Sequence, residues 1–201
     1  MSNNINLGDG SNMKSSIGLF YQITVKDKQG KIVSKTRLRR SKSFCLAFLQ
    51  ALQVQYNIAA NVVIKDTLAA NETCVADEDM LDIHAASGVD TLGLLVGTGT
   101  TPATNIDYVM ETKIAHGGAA TQLNYGELQE IAAAVVGANV DYQLFRAFTN
   151  TSGGTIQVTE TGIYCWIKIG KYSLIIHDVF TAVAVANGET ITVTYTFRTT
   201  V

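Results

Sequence analysis

The residues with the most recognisable chemistry are few and scattered. Gly97-Thr98-Gly99-Thr100-Thr101 is a glycine-rich loop that follows an apolar run. Backbone N–H groups in such a loop can cradle a phosphate, which would point to a nucleotide binder. The details argue otherwise. A P-loop ends in Gly-Lys-Ser/Thr, and a dinucleotide fingerprint needs a third glycine that opens a helix. Pro102 stands where that glycine should be, and no long apolar helix follows. A strand-to-loop turn is the better account.

The histidines are His84, His116 and His177, with no close pair such as HxH or HxxxH. A metal centre usually needs several such ligands gathered together, so no metal site and no cofactor are expected. His84 and His177 lie in apolar, strand-like contexts and read as hydrogen-bonded structural residues. His116 precedes two glycines and reads as a loop residue. Asp77, Glu78, Asp79 and Asp82 supply enough oxygens for a hard cation, but the EF-hand order is absent. A solvated acidic loop is the expectation. No GxSxG elbow is present, and nothing nominates Cys165 and His177 as a nucleophile–base pair. No catalytic residue is named and no enzymatic activity is expected. Cys45, Cys74 and Cys165 are odd in number and lack CxxC spacing. They read as buried free thiols of a protein made in a reducing cytoplasm.

The strongest candidate surface is basic. Net charge is only −2, yet eight of the fifteen Lys and Arg residues fall between Lys26 and Lys42, against the single acid Asp27. The remaining positions carry seven bases against sixteen acids. Alternate residues of a strand share a face, so Lys35, Arg37 and Arg39 would line one side. Lys31, Lys35, Arg37, Arg39, Arg40 and Lys42 are the candidate interface residues. The favoured partner is an acidic protein surface, including that of another copy of this chain. Contact with nucleic-acid phosphates is a less favoured reading, because aromatic residues are sparse there. A solvated edge strand, protected by its charge, is the third.

These residues need elements to hold them. Apolar residues make up 47% of 201 and charged residues 16%, which is enough for a core and excludes global disorder. No uninterrupted apolar run is long enough for a membrane helix. The opening MSNNINLGDGSNMKSS has no apolar segment, so no secretory leader is expected. Residues 1–16 read as a polar arm. Residues 17–60 read as a hairpin (Gly18–Val25, a turn at Asp27–Gly30, then Lys31–Leu38) plus one helix over Phe44–Tyr56. Ser41 or Ser43 would cap that helix, and Phe44, Phe48, Leu52 and Tyr56 would form its apolar stripe, with Ala51 filling it. Residues 61–201 read as an antiparallel β-sandwich. Its strands are expected near Val62–Leu68, Leu81–Ala85, Thr91–Val96, Leu123–Tyr125, Glu130–Val136 and Val140–Thr149. Tyr108–Ile114 would make one or two helical turns.

The last third supplies further runs, TIQVTETG, IYCWIKI, YSLIIHDVF and ITVTYTFR. Ser152-Gly153-Gly154, Gly162, Gly170 and Asn187-Gly188 are expected to turn between them, with Ile169, Val179 and Phe197 in the alternating core. About ten short strands, one helix and no βαβ alternation predict a mainly β protein, an antiparallel sandwich or jelly-roll-like domain.

The succession LLVGTGTTPATNIDYVM (Leu94–Met110), GTIQVTETGIYCWI and YSLIIHDVFTAVAVANGETITVTYTFR resembles virion structural proteins of tailed bacteriophages. The resemblance covers residues 92–198. It implies a non-enzymatic, oligomeric protein of the virus particle, placed in the head, neck or tail, with other virion proteins as partners. It supplies no functional residues. A carbohydrate- or receptor-binding sandwich is the alternative, for which Tyr125, Tyr142 and Trp166 would be the aromatic platforms.

Overall fold

The computed structural model describes residues 16–41, 43–56, 61–76 and 80–200. The polar arm up to residue 15, Lys42 and the acids Asp77, Glu78 and Asp79 lie outside the described residues. What is described is mainly β, as expected: an antiparallel sandwich-like fold with a single α-helix.

The larger layer, sheet A, is built on three long strands: β1 (Ser16–Lys26), β9 (Asn139–Thr149) and β12 (Thr190–Thr200). β12 lies in the middle, antiparallel to both. Alternation puts Leu19, Tyr21, Ile23 and Val25 of β1 on the inner face, with Ile191, Val193 and Tyr195 of β12. Register aligns them in rows across the sheet: Val25–Ile191–Phe148, Ile23–Val193–Arg146 and Tyr21–Tyr195–Leu144. A one-residue slip would turn every one of these side chains to solvent, so the register is strongly specified. β1 is flanked on its other side by β2 (Ile32–Lys35) and then β3 (Arg39–Arg40). β9 is flanked by β7 (Asn124–Tyr125) and β8 (Gln129–Val136). The hairpin and the sandwich therefore share one sheet.

The facing layer, sheet B, holds β10 (Ile156–Lys168) between β6 (Gly93–Gly97) and β11 (Lys171–Val185). All five residues of β6 are buried, as the apolar run predicts. A separate hairpin, β4 (Val62–Lys65) and β5 (Asn71–Cys74), packs with α1 (Leu46–Gln55) beyond β11. The outer edges of sheet B are covered over part of their length, at 172–177 of β11 and at 96–98 beside β6. Segment 43–45 bonds β11 through Cys45 N–H to Ile175 O and His177 N–H to Ser43 O, and Thr67 N–H reaches Tyr172 O. Segment 112–114 bonds β6 through Ile114 N–H to Val96 O and Thr98 N–H to Thr112 O.

Several expectations are corrected. β10 runs straight through Gly162, which does not turn. Its missing Cβ leaves room for Leu174, the Ile176 carbonyl and Met110. Asn187-Gly188 turns as expected, with Gly188 at positive φ, while the loop at Gly153, also at positive φ, carries the chain from one sheet to the other instead of closing a hairpin. Leu81–Ala85 is irregular, since its backbone pairs at single points with Trp166, and Tyr108–Ile114 forms no helical turn. β5, which carries Glu72, forms at 71–74, where no strand was expected. The helix begins at Cys45 without a side-chain cap, because the Ser41 hydroxyl is committed to Asp178. Its buried stripe is Ala47, Ala51 and Val54, while Tyr56 is 71% exposed. Small residues win because α1 lies close to sheet B, with Phe44 and Phe48 stacked beside it. Ile169 is exposed at the β10–β11 turn, and Val179 and Phe197 are half-buried.

Candidate functional site

The glycine-rich loop does bind an anion, and the anion is the protein's own. Glu160 of β10 is fully buried and points at the loop. Its Oε1 accepts the N–H groups of Gly99 (2.9 Å) and Thr112 (2.8 Å), and its Oε2 that of Glu111 (3.1 Å). Glu111 in turn accepts the N–H groups of Thr100 and Thr101, both at 2.7 Å. A Cβ on Gly97 would stand 2.5 Å from the Thr112 carbonyl and against the Glu160 carboxylate, which is why glycine occupies that position. The donors a phosphate would need are already in use.

Beside the loop, His177 of β11 sits between two carboxylates. Its Nδ1 is 2.7 Å from Asp107 Oδ2 and its Nε2 is 3.0 Å from Glu160 Oε2. Burial alone would lower the histidine pKa. The hydrogen bonds to Glu160 and Asp107 outweigh it and hold the pKa above the ordinary value. Burial likewise pushes Glu160 up, but His177 and the loop N–H groups bring it below the usual carboxylate range. Asp107 is lowered in the same way, against burial, by Thr104 and His177. Two carboxylates accept only, so the arrangement favours the protonated ring, which donates from both nitrogens and joins Asp107 to Glu160. The register sets Gly162 opposite His177 and Cys165 opposite Ser173, so Cys165 and His177 are not brought together. Burial pushes the Cys45 thiol up to about 12 and raises those of Cys74 and Cys165.

The other candidates stay apart. His84 lies in an irregular, exposed stretch, 3.9 Å from Glu127, where a strand was expected. His116 Nδ1 accepts the Tyr125 N–H. Among the described residues no three His, Cys, Asp or Glu side chains are grouped to hold a metal ion. Of the aromatic candidates, Tyr125 is buried, its hydroxyl donating to Ile114 O at 2.6 Å. Tyr142 donates to Glu130, and Trp166 is half-buried beside Ile167. A cleft of about 380 Å³ is lined by Thr98, Thr121, Ser152, Gln157 and Thr159, with no charged residue in its lining.

Sequence reading missed Arg146, the largest fully buried side chain. Its Nε donates to Gly126 O (2.7 Å), and its terminal nitrogens to Leu94 O (3.0 Å), Ala86 O (3.0 Å) and Val89 O (2.7 Å). The guanidinium lies 4.9 Å from the Tyr125 ring centroid. Burial lowers its pKa to about 10. The signal was present: alternation along β9 puts Arg146 on the same face as Leu144 and Phe148.

The basic segment is where the predicted residues do converge. Asp27 Oδ1 accepts the N–H groups of Gln29 and Lys31, and Gly30 takes φ +81°, closing the turn. The returning strand is interrupted at 36–38, with Thr36 N–H bonded to Ile23 O. Lys31, Lys35, Arg37, Arg39 and Arg40 are all exposed along this edge of sheet A. None of them forms an ion pair among the described residues. Lys42 lies outside the described residues. Comparison with protein-family models, curated proteins and solved structures returned no match. The candidate site is thus a charged edge of exposed bases, one of which, Arg39, is hydrogen-bonded to Tyr21, and the buried polar network beside it supports the fold.

Proposed function

We propose that this chain is a structural component of a bacteriophage particle, acting by self-association and by docking on other virion proteins. The observation that carries the reading is the row of exposed bases on an open edge of sheet A, on a molecule whose remaining positions carry sixteen acids against seven bases. Such an edge offers main-chain hydrogen bonds and charge together, which gives orientation as well as attraction. The resemblance of residues 92–198 to tailed-phage virion proteins supports the same reading. The polar network around Glu160 and His177 has a structural role in it, and no catalytic step is assigned. The protein would be made in the host cytoplasm and act in the virion.

The test is charge reversal at Arg37, Arg39 and Arg40, all exposed. The triple Glu variant should keep its melting temperature and be incorporated into particles at a tenth or less of the wild-type level, roughly the effect of placing like charges across an interface. Normal incorporation would remove the basic edge from the interface.

A further inference from the structure

We propose that the opposite edge of sheet A, strand β8, is the complementary docking surface, and that it receives the β2–β3 edge of a second copy of this chain. Sheet A would then continue from one molecule into the next. The inference rests on the self-association reading above and adds the surface that reading lacks.

Four observations lead to β8. The first is the contrast between the two sheets. Chain segments bond the outer edges of sheet B at residues 172–177 of β11 and at 96–98 beside β6, whereas β2–β3 and β8 pair only inward among the described residues. An open edge presents unpaired N–H and C=O groups to any strand that approaches.

The second is the composition of β8. All eight residues of QEIAAAVV are exposed, with Ile131 at 53% and Val135 at 77%. The strand has no proline and no basic residue, the usual protections of a free edge. A bulge between Ile131 and Ala134 and the single charge of Glu130 are the devices present. On the other edge, Ile32 and Val33 of β2 are each 50% exposed and offer apolar area to match.

The third is charge. No Lys or Arg occurs between Lys113 and Arg146, and Arg146 is buried. Glu130 of β8 and Glu127 just before it are exposed, with Asp82 across a cleft of about 220 Å³ from Glu130. The opposite edge carries Lys31, Lys35, Arg37, Arg39 and Arg40. Two β2–β3 edges repel, and pairing β8 with β8 satisfies no base. Only unlike edges are complementary.

The fourth is position. The two edges are at opposite ends of one sheet, so their association is head-to-tail. Each bound copy leaves a free edge of each kind, so the assembly closes into a ring or extends as a filament.

Two variants of the full chain test this. One carries Glu127→Lys, Glu130→Lys and Val135→Lys, which spoils β8 and leaves the basic edge intact. The other carries Lys35→Glu, Arg37→Glu and Arg39→Glu, which spoils the basic edge alone. All six positions are exposed, and an unchanged melting temperature confirms folding. Sedimentation velocity at low salt is expected to show wild-type oligomers and each variant alone as a single chain, with association at least roughly tenfold weaker. An equimolar mixture of the two should form a species of two chains and grow no further, because only one intact pair of edges remains. If the basic-edge variant stays dimeric, β8 pairs with itself and the head-to-tail inference is overturned. If the β8 variant assembles like the wild type while the other does not, the basic edge docks elsewhere. Self-association then survives and β8 is excluded. A wild-type protein that is a single chain at every concentration overturns self-association together with the inference.

Discussion

Arg146 shows how a charged residue is kept in an apolar layer. A guanidinium out of water is tolerable only if its donors are all used, and here backbone carbonyls use them. The residue ties segment 86–94 and Gly126 to the inner face of β9. Arg146→Met keeps much of the volume but leaves several buried carbonyls unpaired. It should lower unfolding stability by about 3 kcal/mol or more. Arg198→Ala breaks a half-exposed pair with Asp141 and should lower it by about 1 kcal/mol or less. Urea midpoints for the two variants check the order; equal losses would show that the carbonyl cage contributes little. The Glu160 site teaches a related point. Gly97 and Gly99 were conspicuous in the sequence, but the carboxylate that fills their loop lies 61 positions beyond Gly99 and had no local mark.

At the level of elements, the Asp107–His177–Glu160 cluster clamps the 98–112 loop onto β10 and β11. His177 has a raised pKa, so its contribution is complete below the unfolded value of about 6.5 and is lost as pH rises through the folded value. Glu160 and Asp107 have lowered pKa values, so theirs are complete above the unfolded values of about 4 and are lost as pH falls through the folded ones. The clamp is therefore strongest between roughly pH 4.5 and 6.5. The stability difference between wild type and His177→Asn should be greatest near pH 5.5 and shrink toward pH 9, as followed by thermal unfolding. A difference independent of pH would mean that the histidine is not held protonated. Strands with one buried face, β1, β9 and β12, were legible because alternation marks them. The helix stripe was read only in part, because Phe and Leu outweigh Ala in any hydrophobic pattern: Ala51 is buried and Phe44 and Phe48 pack against the core, but close packing on sheet B also selects Ala47 and Val54 and leaves Tyr56 out. β10 was cut at Gly162 because glycine reads as a turn. Its real cause, room for Met110 and Leu174, is tertiary.

For the whole molecule, charge is sorted along sheet A. If association depends on that sorting, it must be sensitive to salt, since the screening length falls from about 10 Å at 0.1 M to about 3 Å at 1 M. Weight-average mass should fall markedly between these salt concentrations and recover on dilution of the salt. Mass that holds or rises would assign the contact to apolar area alone. Composition and period two by themselves determined a mainly β protein, most of its strands, the inward face of its best strands and the basic cluster after β1. These are local properties, carried by neighbouring side chains. Which strands are adjacent, which edges stay open, and which carboxylate fills which loop were decided only by tertiary structure. They depend on pairings between residues far apart in the chain, such as Ser16 with Thr200, and no short window of sequence contains both partners.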